Sequence, residues 1–221
     1  MIYHEMGRVI LNEEISEGIY QTTFESPLIS ATTLPGQFIN ILPEHNWNYV
    51  MRRPMSIASQ GNDKISIIYK AIGEGTRIMQ NWKTGEIVDN IGPLGNYWTG
   101  YKDTFPILIG GGVGIAPIIN LHHLLINKDI GHILIMGARN GNEHFLQHKP
   151  LEQIYMSTDD GSLGINGNVV DALDSIYFGQ SLPNNCKIYS CGPPLMMEAV
   201  RLYSIKNKLV CELAMETIMA C

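Results

Sequence analysis

The chain has 221 residues, 45% hydrophobic and 16% charged, enough apolar material for one large or two small domains and too little charge for a disordered chain. A formal net charge of −6 with no basic run argues against nucleic acid or an anionic membrane as a partner. No apolar run reaches bilayer length, and Met1-Ile2-Tyr3-His4-Glu5 lacks the basic and apolar regions of a secretion signal, so a cytoplasmic protein is expected.

Residues 1–100 read as β-structure. Strand candidates cover 8–11, 19–24, 37–41 and 64–69, separated by Pro35-Gly36, Pro43, Gly61-Asn62-Asp63 and Gly92-Pro93. Short strands at this spacing predict a small antiparallel barrel. Thr76 is the expected N-cap of one short helix over 77–82. From about residue 101 the pattern changes. Strands are expected over 107–109, 133–136, 154–157, 187–190 and 208–212. Helices are expected over 117–127, 143–148, 168–176 and 194–207. Alternation of this kind predicts a doubly wound parallel sheet, with the boundary between the two domains near Gly100.

Four stretches carry candidate chemistry. After the apolar run Ile107-Leu108-Ile109 come Gly110, Gly111, Gly112 and Gly114, four glycines in five positions, and then Pro117. Such a loop presents amides and a helix N-terminus to an anion such as a nucleotide phosphate, although Pro117 breaks the G-x-G-x-x-G pattern and an ordinary strand-to-helix turn would look the same. Arg52-Arg53-Pro54-Met55-Ser56 offers guanidinium forks for phosphate and a hydroxyl for a flavin ring nitrogen, or else is an exposed strand end. Gly73-Glu74-Gly75-Thr76-Arg77 repeats the anion logic at a second helix start, or is a capped turn. Cys191-Gly192-Pro193-Pro194 ends a predicted parallel strand, the edge where such sheets bind ligands; Cys191 is a site thiol or a buried cysteine.

Other features weigh less. Thr158-Asp159-Asp160-Gly161-Ser162 reads as an acid/base pair, a loose cation site or a solvated turn, without calcium-loop spacing. His122 and His123 are sequence neighbours and do not share a helix face. Met196, Met197, Met215 and Met219 read as core filler. The cysteines, 186, 191, 211 and 221, contain no C-x-x-C pair.

Taken together and in this order, the arginine and glycine motifs resemble the ferredoxin reductase-like flavoprotein superfamily. Within it they are most similar to the electron transfer subunits of two-subunit dihydroorotate dehydrogenases. Ile68-Tyr69-Lys70 and Gly92-Pro93-Leu94-Gly95-Asn96 add to the likeness, and Met55 replaces the aromatic of plant-type reductases with the aliphatic residue of this branch. The resemblance implies an antiparallel Greek-key β-barrel for FAD over 1–100. A doubly wound NAD domain follows over 101–210, and 211–221 opens a C-terminal cluster segment. It implies that Arg53, Pro54, Met55 and Ser56 hold the flavin, with Ser56 at the reactive edge, and that Ile68, Tyr69 and Lys70 line the same site. Gly75 and Thr76 would bind the FAD diphosphate, and Gly111, Gly112 and Gly114 the NAD phosphates. Cys191 and Gly192 would border the nicotinamide, which makes Ser56 and Cys191 the candidate catalytic residues. Cys221 matches the first of four cysteines that bind a 2Fe–2S cluster in the family. The sequence stops there, so the cluster is expected only with further cysteines beyond it.

The implied function is electron transfer between an FMN-containing, dihydroorotate-oxidising subunit and NAD, through FAD, in pyrimidine biosynthesis and in a heterotetramer. The alternatives are a stand-alone or ferredoxin-linked NAD(P)H oxidoreductase and a nucleotide-sensing subunit without turnover. NADH is expected over NADPH, with Arg139 as the candidate cation for a 2′-phosphate.

Overall fold

The computed structural model describes residues 1–44, 51–179 and 182–215. These form two compact units, Met1–Tyr97 and Trp98–Met215. In chain order the first contains β1 (Tyr3–Ser16), β2 (Ile19–Glu25), α1 (Pro27–Thr32), β3 (Phe38–Leu42), β4 (Arg53–Gly61), β5 (Lys64–Lys70), α2 (Glu74–Met79) and β6 (Ile87–Leu94). The second contains β7 (Phe105–Gly111), α3 (Ile115–Asn127), β8 (Ile133–Ala138), β9 (Ile154–Thr158), β10 (Ile165–Asn166), α4 (Val169–Gly179), β11 (Cys186–Cys191), α5 (Pro194–Asn207) and β12 (Val210–Leu213). No helix among the described residues is long and apolar enough to cross a membrane.

The first unit is a closed antiparallel barrel in the order β1-β2-β5-β4-β3-β6. β1 is long because it serves two neighbours. Tyr3 to Arg8 pair with β6, and from Val9 the strand pairs with β2. Gly7 sits at the changeover, where a Cβ would press on the Glu25 carbonyl and lie 2.8 Å from the Phe24 ring, so any side chain there would force the strands apart. The barrel interior is filled by Val9, Phe24, Ile39, Ile41, Ile57, Ile65, Ile67 and Val88, every one at most 1% exposed. Gly92-Pro93, read from sequence as a turn, lies inside β6. β1 extends beyond the expected 8–11 at both ends, where charged and polar residues such as His4, Glu13 and Glu14 are exposed.

The second unit is a six-stranded parallel sheet in the order β10-β9-β8-β7-β11-β12. The chain works outward from β7 to β10 and then crosses back to lay β11 on the other side of β7. That reversal creates a switch point at the carboxyl ends of β7 and β11. Alternate residues of the central strands face α4 and α5, where Ile107, Ile109, Ile133, Ile135 and Ile188 meet Val169, Leu173, Ile176 and Val200. Burial on both faces explains the unbroken apolar run of β7.

Short turns of 3₁₀-helix at Gly141–Glu143 and Pro150–Glu152 flank the region where a helix over 143–148 was expected. The cause is local. His148 is held as an acceptor by the Met156 amide at 3.0 Å, and Lys149 pairs with Ile154, so the segment folds back on β9. Met197 is buried, but Met215 is 74% exposed and is not core filler; Met219 lies outside the described residues.

Candidate functional site

In the barrel unit the two neighbouring arginines have different fates. Arg52 forks onto Asp89, with Nη1–Oδ1 at 2.8 Å and Nη2–Oδ2 at 3.0 Å, and His4 Nε2 reaches the same Oδ1 at 2.7 Å. Burial alone would raise the Asp89 carboxyl, but the bonds from Arg52 and His4 outweigh it and hold the group below its ordinary value. Arg52 is therefore committed to the barrel wall. Arg53 instead lies over α2: a Cβ on Gly75 would be 3.1 Å from Arg53 Nε and 3.1 Å from Pro43 Cγ. Without a Cβ at Gly75 the arginine can lie this close to the helix backbone; a side chain there would make it give way by a few tenths of an ångström.

The start of α2 corrects the sequence reading. Gly73, not Thr76, is the N-cap, and the helix runs over Glu74–Met79. Thr76 is its third residue and reaches backwards. Its hydroxyl accepts from the amides of Ile72 (3.1 Å) and Gly73 (3.0 Å) and donates to the Gly73 carbonyl (3.0 Å). Thr76 thus closes the turn, which leaves the first-turn amides of α2 beside the Arg53 guanidinium as an anion-type donor set.

The two strands predicted to line the flavin present alternate faces. Met55 packs against the barrel core, so Pro54 and Ser56 face the other way, opposite Asn40 and Phe38 of β3. On β5 the core takes Ile65, Ile67 and Tyr69, leaving Ile68 and Lys70 outward. The Tyr69 hydroxyl is inside, accepting from Thr22 at 3.3 Å and donating to Asn12 at 3.4 Å, and burial pushes it up to about 12. Tyr69 has only its main chain to offer a ligand on the outer face.

In the sheet unit, two motifs eighty positions apart meet. β11 pairs with β7 so that Cys191 stands opposite Gly110. A Cβ on Gly114 would lie 2.6 Å from Gly192 Cα and 2.8 Å from the Cys191 carbonyl. A Cβ on Gly110 would strike the Ile115 side chain, and one on Gly111 the Met196 sulfur. Gly112 is different: its φ is +53° and nothing lies within 4 Å of its Cβ position. Gly110 and Gly114 are thus demanded by backbone packing, Gly111 lies against the Met196 side chain, and Gly112 leaves its backbone open to a ligand. Cys191 is 5% exposed. Ser56 and Cys191 belong to different units.

The loops after β8 and β9 border this edge. Arg139 forks onto Glu143 through Nε and Nη2, and its own amide donates to the same carboxylate at 3.2 Å. Asp160 accepts from the Ser162 hydroxyl at 2.6 Å and amide at 3.0 Å, and Ser162 accepts from the Gly141 amide at 2.8 Å. These bonds lower the Asp160 carboxyl and tie the two loops together. No group of three metal-ligating side chains gathers among the described residues. His122 pairs with His132, Nδ1 to Nε2 at 2.7 Å, rather than with His123.

One buried cluster had no sequence signal beyond a lone lysine in an apolar strand. Lys187 donates to the Thr99 carbonyl at 2.8 Å and to Glu212 at 2.7 Å. The Tyr189 hydroxyl donates to the same carbonyl at 2.6 Å, and Trp98 stands edge-on to the Tyr189 ring while donating to the Pro117 carbonyl at 3.2 Å. The cluster anchors the start of the sheet unit to β11, β12 and the first turn of α3, just behind the glycine loop.

A family profile described as an oxidoreductase NAD-binding domain matches residues 108–202. A dihydroorotate dehydrogenase B (NAD(+)) electron transfer subunit from Fusobacterium nucleatum is 33% identical over 217 residues, covering 90% of this chain and 82% of that protein. The corresponding protein of Bacillus mycoides is 32% identical over 199 residues, 87% of this chain and 75% of its own length. Among solved structures, an NADH-dependent reduced ferredoxin-NADP oxidoreductase superposes with a TM-score of 0.81 at 24% identity, over 97% of this chain and 78% of its own. The fold is shared across that distance.

Proposed function

The chain belongs to the family of dihydroorotate dehydrogenase B electron transfer subunits, and we propose that it passes electrons between a dihydroorotate-oxidising, FMN-containing subunit and NAD by way of FAD on its own barrel. It is a subunit of an FAD- and NAD-type oxidoreductase. The observation that carries the proposal is the junction of the Gly110–Gly114 loop with Cys191-Gly192 at the switch point of the sheet. There, glycines are required by packing on one side and leave open backbone on the other.

In this reading Arg53 and the first-turn amides of α2, with Gly75 admitting the arginine, take the FAD diphosphate. Thr76 holds that turn in shape. Pro54, Ser56, Ile68 and Lys70 form the ring-binding face, Tyr69 contributes main chain, and Met55 supports the strand from within. The Ser56 hydroxyl is the donor at the reactive edge. Gly111, Gly112 and Gly114 admit the NAD diphosphate, while Cys191 and Gly192 border the nicotinamide. Bound FAD supplies hydride exchange with nicotinamide on one side and electron exchange with the partner on the other. The flavin unit is Met1–Tyr97 and the nucleotide unit Trp98–Met215, three residues earlier than the expected boundary at 100/101. A 2Fe–2S cluster joins the scheme if ligands beyond Cys221 complete the four it needs. A heterotetramer in the cytoplasm, feeding pyrimidine biosynthesis, completes it.

The test is an absorption spectrum of the full chain before and after anaerobic NADH. Flavin bands that bleach support the proposal. A colourless protein that takes up no added FAD sinks it.

A further inference from the structure

We propose that Lys187 and Glu212 are positioning residues for hydride transfer: they clamp Thr99, the second residue of the sheet unit, and so fix to the nucleotide side the chain that arrives from the flavin unit. The inference rests on the flavin and nucleotide sites assigned above and deepens them. In that scheme NADH gives a hydride, which is two electrons and a proton, to FAD, and NAD⁺ and the reduced flavin anion result. The two cofactors are held by different units, so the step depends on the chain that joins them. Only Gly95-Asn96-Tyr97 separates the end of β6 at Leu94 from Trp98, where the sheet unit begins.

Every polar group of Thr99 is engaged. Its amide donates to Glu212 Oε2 at 3.1 Å and its hydroxyl to Oε1. Its carbonyl accepts from Lys187 Nζ at 2.8 Å and from the Tyr189 hydroxyl at 2.6 Å. Lys187 closes the ring by donating to Glu212 Oε1 at 2.7 Å. The Lys187 and Glu212 side chains are 9% and 29% exposed. Burial alone would raise the Glu212 carboxyl, but the bonds from Lys187 and Thr99 outweigh it and hold the group below its ordinary value. The neighbours of Thr99 are fixed as well. Trp98 donates to the Pro117 carbonyl in the first turn of α3, and a Cβ on Gly100, whose φ is +70°, would lie 3.1 Å from Lys187 Nζ. The same elements carry the nucleotide site: β11 runs on from Lys187 and Tyr189 to Cys191, and α3 follows the glycine loop. An apolar pair would stabilise this spot as well as an ion pair does. What a closed ring of charged and polar partners adds is a single orientation for the peptide it surrounds.

The experiment uses the FAD-loaded full chain in stopped flow. It reads the limiting rate of flavin bleaching by anaerobic NADH and the NADH concentration that gives half that rate. The variant is Lys187→Met combined with Glu212→Gln, which removes both charges together and leaves neither alone in the interior. Flavin content and the half-saturating NADH concentration are expected to stay at wild-type values while the limiting rate falls roughly tenfold to a hundredfold, the scale of a misplacement of about 1 Å. Thr99→Ala removes only the hydroxyl bond of an exposed residue and is expected to slow the same step roughly twofold to tenfold, the range of one hydrogen bond. An unchanged limiting rate in the double variant, with wild-type flavin bleached by NADH, overturns the inference and leaves both cofactor sites standing. A fall matched by weaker NADH binding or by lost FAD makes the cluster a support for one site and also overturns it. Should the double variant not fold, Thr99→Ala decides alone, and a wild-type limiting rate there overturns the inference. Wild-type flavin that NADH fails to bleach overturns the reading of the two sites, and the inference with it.

Discussion

Gly114 shows how little room a single residue leaves at the switch point. A methyl group there would approach the Gly192 Cα at 2.6 Å and its nitrogen at 2.7 Å. Both are backbone atoms on a neighbouring strand end, so the clash cannot be relieved by a rotamer change. Gly114→Ala is expected to cost about 1–3 kcal/mol, as overpacking does, and to spread the loops after β7 and β11. Urea denaturation and NADH titration on the same sample check it: a variant with wild-type NADH affinity would contradict the idea that this junction is the nucleotide site. Arg52 and Arg53 make the complementary point. They are chemically identical, yet the Asp89 fork makes one of them structural and leaves the other beside Gly75.

At the scale of elements, α2 is a six-residue helix whose first turn depends on one hydroxyl. Thr76 satisfies two amides and a carbonyl of the preceding loop. Thr76→Val keeps the shape and removes those bonds. The loss expected is about 0.5–2 kcal/mol, the range for helix caps. If the α2 amides bind a diphosphate, FAD is also retained less well. Gel filtration followed by flavin quantification reads this directly, and full flavin retention with a frayed α2 would detach the helix from the FAD site. Helix α5 spans the expected 194–207; prolines mark its start in the sequence, whereas Lys208 takes φ +56° at its end only in the structure. The expected helix over 143–148 was not realised: the His148 side chain and the Lys149 backbone after it are held by β9, contacts that local sequence does not encode.

For the whole molecule, acid should act unequally on the two units. In the sheet unit His122 is pulled down to about 4, mainly by burial and then by His132 and His123, and His123, His132 and His144 are lowered as well. An unfolded chain takes these protons near the ordinary value of 6.5, so between about 6.5 and 4 the unfolded state binds more protons and stability falls as pH falls. In the barrel unit Asp89 is lowered from 3.8. Its contribution is complete above that value and is lost only as the pH drops through the still lower folded one. Residues Trp98–Met215 are therefore expected to lose hydrogen-exchange protection near pH 5 while Met1–Tyr97 keeps it. His122→Gln should narrow the gap, and equal loss in both units would refute the account.

Sequence was sufficient for the order of motifs and for the two architectures. The signals were local: glycines where the chain must turn or touch backbone, an unbroken apolar strand where both faces are covered, and alternating strands and helices after residue 101. Tertiary structure alone decided which groups are free. It locked Arg52 and Glu143 into ion pairs, turned Tyr69 and Met55 into the barrel, and set Gly114 against Gly192. The physical reason is the same in each case. Strand register and side-chain direction follow from pairing between segments far apart in the chain, and a charged or polar group takes its role from the partner that pairing brings within reach.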